Sequence, residues 1–489
     1  MIHTEEETVI VGAGMAGLAV SAGARRSTFL IESGTETDPS HKNILPGHRA
    51  LDLWHRTNRD KTFKRHWSTS RAPHFRTGSG LRQRVGGRSL YWHGVCLPIE
   101  DRALLDWPAE IVAELTSAAP HACSYATTGR ALNGWLDGHR TGHRLDECRG
   151  PREESFLAHL RSAGFAALPV PQAAREVSVD GEIRQLPYSP LTESPDRPRR
   201  ILTGGRVLSV VPHGDRFRLT VAHGRATSEM TARRVVLAAG TIENTRLVAG
   251  LRMHIRNTRE MACPGLNDHI VQGFVANVPR GLFALPRPHG RVFCYLPALD
   301  EASSNLFWEV TPIPGSDTER LAVWTMGEKL PGGCSVVVRA APRDRAPRVH
   351  IDGILAFDDL TVVRQQARLL GEVAERLLGV QPGAVWTTPE DYARGKPSWM
   401  EAVQAAGHET GRGKIRIHPY VYPLGSVDHE SGTLPLGKEL RLDGALPEAP
   451  GLSVVGPATF PRSGAANPSL TTLTLARRHL CDQPADFGG

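Results

Sequence analysis

Apolar positions along this chain repeat in two ways, and the changes between them mark its organisation. Residues 9–11 are a short continuous apolar run, followed by Gly12, Gly14 and Gly17 and then by a segment, 18–24, that continues as a helix. A second apolar run, 28–31, ends in Glu32. Such runs read as buried strands, so the opening is strand, glycine turn, helix, strand. Residues 109–119, just after Pro108, and 153–163 carry helical apolar faces, while 140–152 is polar and reads as a loop. Proline and charge are frequent from 168 to 200, which predicts a surface excursion between domains. Apolar and polar residues alternate over 206–211 and 217–221 about His213-Gly214-Asp215, a hairpin signal.

Further on, 235–237 predicts a strand that enters Ala238-Ala239-Gly240 and a helix from Thr241. Between 273 and 386 the pattern turns to strands: 292–296, 305–311, 320–325, 335–339 and 349–351, with 359–378 as one helix behind them. That order predicts a separate antiparallel sheet with a helical back. Near the end, 414–421 and 452–456 read as strands and 470–481 as the last helix. There is no internal repeat.

Composition changes this picture little. At 489 residues two or three domains are expected. The formal net charge is +7, with Arg far outnumbering Lys, a bias that is poor evidence for nucleic-acid binding. Seven cysteines (Cys96, Cys123, Cys148, Cys263, Cys294, Cys334 and Cys481) are scattered, odd in number and never in a C-x-x-C pair. This argues against a disulfide framework or a zinc site and predicts a reducing compartment. The acidic start, Glu5 to Glu7, runs directly into the first strand, and no apolar run has the length of a membrane span, so a cytoplasmic protein is expected.

The chemistry is carried by glycines. Gly12, Gly14 and Gly17 stand at G-x-G-x-x-G spacing between a strand and a helix, with an acid about twenty residues on. The first glycine permits the turn, the second lets a pyrophosphate approach the backbone, and the third lets helix pack on strand. Gly86-Gly87-Arg88-Ser89 is a second such loop, and Leu90 to Trp92 beside it is an apolar wall for a flat ring. From 49 to 88 the chain is unusually basic: Arg49, Arg56, Arg59, Lys61, Lys64, Arg65, Arg71, Arg76, Arg82, Arg84 and Arg88, with Trp54, His55, His66, Trp67, His74 and Phe75 interleaved. A solvated loop is one reading. If the segment lies over a cofactor, its guanidinium groups would attract an anionic or carrier-bound substrate. Neither nucleic acid nor membrane is an expected partner.

These segments, in this order, resemble the glucose–methanol–choline (GMC) family of flavoprotein oxidoreductases. The resemblance rests on Gly12, Gly14, Gly17 and Glu32, on Gly86-Gly87-x-Ser89, and on 236–243. It also rests on Gly265-Leu266-Asn267-Asp268-His269, on His418-Pro419-Tyr420 and on 463–471. It implies an α/β plus α+β protein: a Rossmann-like FAD-binding domain of the GMC and glutathione-reductase kind, from 1–105, 196–270 and 445–489. A discontinuous antiparallel-sheet substrate domain with connecting segments would come from 106–195 and 271–444.

The resemblance also implies roles. Gly12, Gly14 and Gly17 would bind the FAD pyrophosphate and Glu32 the adenosine ribose. Gly86, Gly87, Ser89 and Trp92 would meet the diphosphate and the flavin ring. Val207, Ala239 and Gly240 would line the adenosine side, and Gly456, Asn467, Pro468 and Leu470 the flavin side. Bound FAD would be non-covalent, because Tyr91 or Trp92 stands where some relatives carry a tethering His, with His93 adjacent. The activity implied is oxidation of a CH–OH group of a small polyol, sugar or specialised metabolite, with hydride transfer to flavin N5. His418 would be the base and Asn467 would position the oxygen. Oxygen or another electron acceptor stays open, as does a non-standard reaction such as desaturation, cyclisation or a lyase step. After His418 the family would continue in a Gly-Thr-Cys-Arg-Met-Gly-like run, where this chain has Val421-Tyr422-Pro423-Leu424-Gly425. Aligning on that stretch puts Tyr422 in the catalytic place, and aligning on His408-Glu409-Thr410-Gly411 puts His408 there.

Overall fold

The computed structural model describes residues 4–24, 28–45, 50–70, 79–141, 143–192, 200–286, 291–298, 304–313, 315–342, 344–380, 388–407 and 414–481. Its first sheet has a parallel centre. Arg200–Thr203, Phe29–Glu32, Thr4–Val11, Ala226–Leu237 and Ala449–Val454 lie side by side in that order, all parallel. Val9, Ile10, Leu30, Val235 and Leu452 are buried, as strands covered on both faces require. The hairpin of Gly205–His213 and Arg216–His223 extends the sheet in antiparallel fashion beyond Ala226–Leu237.

The turn after Thr4–Val11 leads into the helix Met15–Gly23. Gly12 sits at φ 102°, in the region that favours glycine. A Cβ at Gly17 would overlap the Gly12 carbonyl oxygen, so helix and turn touch backbone to backbone. The last helix, Ser469–Cys481, packs beside this first one, with Leu480 over Gly23.

A second sheet is antiparallel throughout. Its order is His418–Tyr422, Asp268–Pro279, Thr318–Lys329, Ser304–Pro312, Val292–Leu296 and Leu168–Pro169. Residues alternate between its faces. Phe274, Ala276, Leu306, Trp308 and Val323 face the helices Pro151–Ser162 and Phe357–Leu378. Val271, Phe293, Phe307 and Met326 point the other way and merge with the core of the parallel sheet. This second face is where a site between the two sheets is built.

Several expectations are corrected. Residues 335–339 and 349–351 do not join the antiparallel sheet just described. They form Cys334–Arg339 and Arg348–Gly353, which pair with Glu260–Pro264 and Trp67–Thr69 in a sheet of their own. Val336, Val338, Val349 and Ile351 pack on Ile242, Ala249 and Met253 of the helix Thr241–Arg256. That sheet draws strands from both of the regions expected to be separate domains. The stretch 168–200 holds a hairpin, Ala174–Val179 with Glu182–Pro187, whose turn has Asp180 and Gly181 at positive φ. Its mostly charged and polar residues hide the alternation. The helix Tyr125–Gly138 adds an element that the sequence pattern does not announce; Ser124 caps it, and Thr128, Leu132 and Leu136 form its buried stripe. Cys123 and Cys481 are brought side by side, although their sequence separation of 358 leaves no spacing signature. Among the described residues, no helix is long and apolar enough to cross a membrane.

Replacing Gly17 by Ala is expected to destabilise the fold by about 1–3 kcal/mol, because backbone must move to admit the methyl group. Scanning calorimetry would show a lowered melting temperature.

Candidate functional site

An elongated cavity lies beyond the carboxyl ends of the parallel strands, where turns leave the sheet. Gly12 and Gly14 line it after the first strand, Glu32 at the end of the second, Ala239 and Gly240 after Leu237, and Gly456 after Ala449–Val454. A Cβ at Gly14 would meet nothing within 4 Å, so this backbone is open to the cavity. Glu32 is fixed from behind. Its Oε2 accepts from the Ala13 N–H at 3.1 Å and its Oε1 from the Gly34 N–H at 2.8 Å. Burial still raises its pKa, and lone pairs remain for a donor such as a hydroxyl.

The second glycine loop abuts the first. The Gly86 N–H donates to the Ala13 carbonyl at 2.8 Å, and a Cβ on Gly87 would stand 3.2 Å from the Gly14 Cα. Gly87, Ser89 and Trp92 line the cavity, and Trp92 is oriented by its Nε1–H donating to the Tyr188 carbonyl at 2.7 Å. Val207 also lines the cavity, where Arg246 donates to the carbonyls of Val207 and Leu208, each at 2.7 Å. Glu243 there is deeply buried, which would raise its pKa, yet Arg246 and Arg206 hold it down at about 2. Pro468, Ser469 and Thr472 bring the start of the last helix to the cavity wall, so its first N–H groups face the space. Gly17, Gly86 and Leu470 do not line the cavity: Gly17 packs on the turn, Gly86 supports the loop, and Leu470 sits in the core beneath the first helix.

His429 also lines the cavity, and Asn467, which is not itself among the lining residues, stands behind it. The Asn467 Nδ2 stands 3.4 Å from His429 Nε2, and Asn467 Oδ1 is buried with no hydrogen-bond partner among the described residues. His429 Nδ1 lies 2.8 Å from Nδ1 of His269, whose Nε2 donates to the Gly464 carbonyl at 2.9 Å. Burial, then the charges of His269, Arg88 and His93, keep the His429 pKa well below the usual imidazole value, and burial takes His269 down to about 4. Both rings are therefore neutral at physiological pH.

His418 is not at this place. It opens the strand His418–Tyr422 opposite Val275, six residues along the neighbouring strand from His269, roughly 20 Å at strand rise. Tyr422 does not line the cavity either; its hydroxyl lies 3.2 Å from His55 Nε2, and burial raises its pKa. His408 lies outside the described residues, as do Arg49, Arg71, His74, Phe75 and Arg76. A signal for His429 was present: His429-Glu430-Ser431-Gly432-Thr433 carries His-x-x-Gly-Thr, closer to the family run than the stretch after His418.

The basic segment does lie over the cavity, through Trp54, Trp67, Leu81, Arg82 and Gln83. Its inward guanidinium groups are already engaged. Arg82 pairs with Asp60 at 2.9 Å beneath Phe63 and Tyr91, Arg84 donates to the Asp38 carbonyl, and Arg88 pairs with Glu430 at 2.8 Å and Asp428 at 3.2 Å. Arg59, Lys61, Lys64 and Arg65 are exposed.

No family model matches the chain, and no curated protein matches it in sequence. Among solved structures it resembles the crystal structure of pyridoxine 4-oxidase from Mesorbium loti. The chain shares that fold. The match has a TM-score of 0.57 and covers 97% of this chain and 98% of that one, at 15% sequence identity.

The loop that carries Asn467 is held by carboxylates. Glu100 accepts from the Ala465 N–H at 3.0 Å, Glu328 from the Gly464 N–H at 3.0 Å, and Asn305 donates to the Ala465 carbonyl at 2.8 Å. Burial raises the Glu100 pKa from 4.5 to about 7. The folded state thus holds that proton more tightly than the unfolded one. The stability this group contributes is present in acid and lost as pH rises from 4.5 through about 7. Glu100→Gln removes the titration, so its stability relative to wild type should improve with rising pH across that window, by at most about 3 kcal/mol. Urea midpoints of the two proteins at matched pH values check this.

Proposed function

We propose that this chain is an FAD-dependent oxidoreductase that oxidises a CH–OH group, with His429 rather than His418 as its base. The observation that carries the reading is a neutral imidazole and an amide side by side, His429 and Asn467 at 3.4 Å, with His429 on the wall of a glycine-lined cavity. The residues present fit the cofactor. The Gly12–Gly14 turn and the helix start suit a pyrophosphate, Glu32 suits ribose hydroxyls, and the unpartnered Asn467 Oδ1 suits a donor on a flavin edge. FAD bound there would supply the two-electron acceptor for the carbon-bound hydrogen.

The protein's own residues handle the proton. His429 Nε2 takes the hydroxyl proton, a task suited to an imidazole that is neutral at pH 7. The Asn467 amide N–H directs the alcohol oxygen but cannot accept its proton. Trp54, Trp67 and Trp92 give the cavity an apolar part of its wall. The fold shared with pyridoxine 4-oxidase, by its name an oxidase, supports the class. A small hydroxylated metabolite is the substrate, and the paired state of Arg82 and Arg88 weakens the case for recruiting an anionic one by these groups.

Anaerobic bleaching of the flavin by a panel of polyols, sugars and pyridoxine tests the reading. His429→Ala should slow reduction by about 10²–10⁴-fold, the range of a lost general base, while His418→Ala leaves it unchanged. Undiminished bleaching in His429→Ala would point instead to a non-standard reaction on the same fold. The cofactor itself has a separate check. Non-covalent binding is the reading we favour; the Tyr91 hydroxyl lies 3.0 Å from Thr62 Oγ1 and the Trp92 indole N–H donates to the Tyr188 carbonyl, which supports it. Acid precipitation of purified protein should release all its FAD into the supernatant, and yellow colour retained in the pellet would reject non-covalent binding.

A further inference from the structure

On the reading of His429 as proton acceptor, we propose that His269 is a positioning residue that holds His429 in the tautomer whose Nε2 bears the lone pair. The Gly464 carbonyl sets this state from the far side of His269.

The hydrogen bonds admit one protonation pattern. A carbonyl oxygen only accepts, so the 2.9 Å contact with Gly464 places a proton on His269 Nε2. Burial denies His269 a second proton, so its Nδ1 is bare. Two ring nitrogens 2.8 Å apart share one proton, and here it must sit on His429 Nδ1. A neutral ring protonated at Nδ1 has a bare Nε2, and that atom faces the Asn467 amide, which donates. Moving a proton on either ring leaves a donor facing a donor or a lone pair facing a lone pair. The tautomer with Nε2 protonated could not take a proton from an alcohol at all.

The far end of the chain of contacts is rigid. Gly464 is gripped through its N–H by Glu328, which lies directly across the strand pair from His269. The same two strands therefore hold both the N–H and the carbonyl of one residue. The His269 and His429 rings meet at 89°, so the contact fixes the plane of the His429 ring as well as its proton. After His429 takes a proton at Nε2, its Nδ1–H still donates to His269, whose lone pair stabilises the cation.

Selective ¹⁵N-histidine labelling of the holoenzyme tests the tautomer, with the His429 signals assigned by their loss in His429→Gln. Wild type should show His429 protonated at Nδ1 and bare at Nε2, whether or not any alcohol reduces the flavin. His269→Leu should lose that pattern and slow anaerobic reduction by about 10²-fold at unchanged FAD content. His269→Asn, whose Oδ1 can accept where Nδ1 did, should recover most of both. A wild-type His429 protonated at Nε2 overturns the proposal, and so does a His269→Leu holoenzyme with the wild-type pattern and rate. An Asn variant no better than Leu also overturns it. If His269→Leu fails to fold, the wild-type spectrum decides alone. If no alcohol bleaches the wild type, the oxidoreductase reading fails while the tautomer result still stands.

Discussion

Three backbone hydrogen bonds in one line set where everything else goes. The Gly12 N–H donates to Ile31, the Ala238 N–H to Val11 and the Val455 N–H to Leu237, at 2.8, 2.8 and 2.9 Å. Each continues the ladder of the parallel sheet by one step past the end of a strand. The turns that follow all leave the sheet at the same level, so their backbones converge on one cavity. A Cβ at Gly14 or Gly240 would project into open space, and one at Gly12 would overlap the Ala238 backbone of the next turn, so glycine lets the turns come together around the cavity. The Gly86–Gly87 loop is then hung on the first turn through the Ala13 carbonyl. A space lined by the backbone of these turns is the consequence of register, before any side chain acts.

The surroundings of His429 are organised by charge kept out of water. Arg88 leaves the second glycine loop and ends between Asp428 and Glu430, the two residues flanking His429. It thus ties the second glycine loop to the segment that carries His429. Burying such groups is costly unless they are paired, and here one guanidinium serves two carboxylates. Asp268, beside His269, forms no ion pair of its own among the described residues; burial and the neighbouring Glu430 raise its pKa to about 8. Burial thus works against a charge on Asp268, as it does against one on the neighbouring histidines.

Legibility in the sequence followed how local each feature is. The parallel strands at 9–11 and 235–237, the hairpin about Gly214 and the last helix were all readable, because apolar runs and glycine turns are short-range signals. The helix Tyr125–Gly138 was not, since Gly129 and Gly134 interrupt its pattern, and tertiary burial of Leu132 and Leu136 overrides their cost. The division of the central strands into two sheets was invisible as well. Val323 and Val336 sit in apolar strands that look alike in one dimension, yet they belong to different sheets. Only the helix Thr241–Arg256 beneath Val336 and Ile351 decides between them. Along the cavity, Gly12, Gly14, Glu32 and Gly87 lie within the motifs that named them. The sequence left the basic segment open between a solvated loop and a cover over the cavity, and the pairing of Arg82 with Asp60 and of Arg88 with Glu430 depends on how the chain folds back on itself.

The histidine shows the same limit at its sharpest. His418 and His429 are eleven residues apart, both near short apolar runs, and His418-Pro419-Tyr420 looks like the start of a strand aimed at the site. It is such a strand, yet register pairs its first residue with Val275, far along the sheet from His269. The chain must then run on through Gly425, whose N–H is taken by Asp268, before Asp428 at φ 59° turns it back. Only after that turn does a side chain reach Asn467. A histidine ahead of the turn is committed to the sheet, and one after it can face the cavity. What brings an imidazole to this site is thus which side of a backbone turn it occupies; the His-x-x-Gly-Thr spacing marks His429 in the sequence, but the turn that carries it to Asn467 is a property of the folded register.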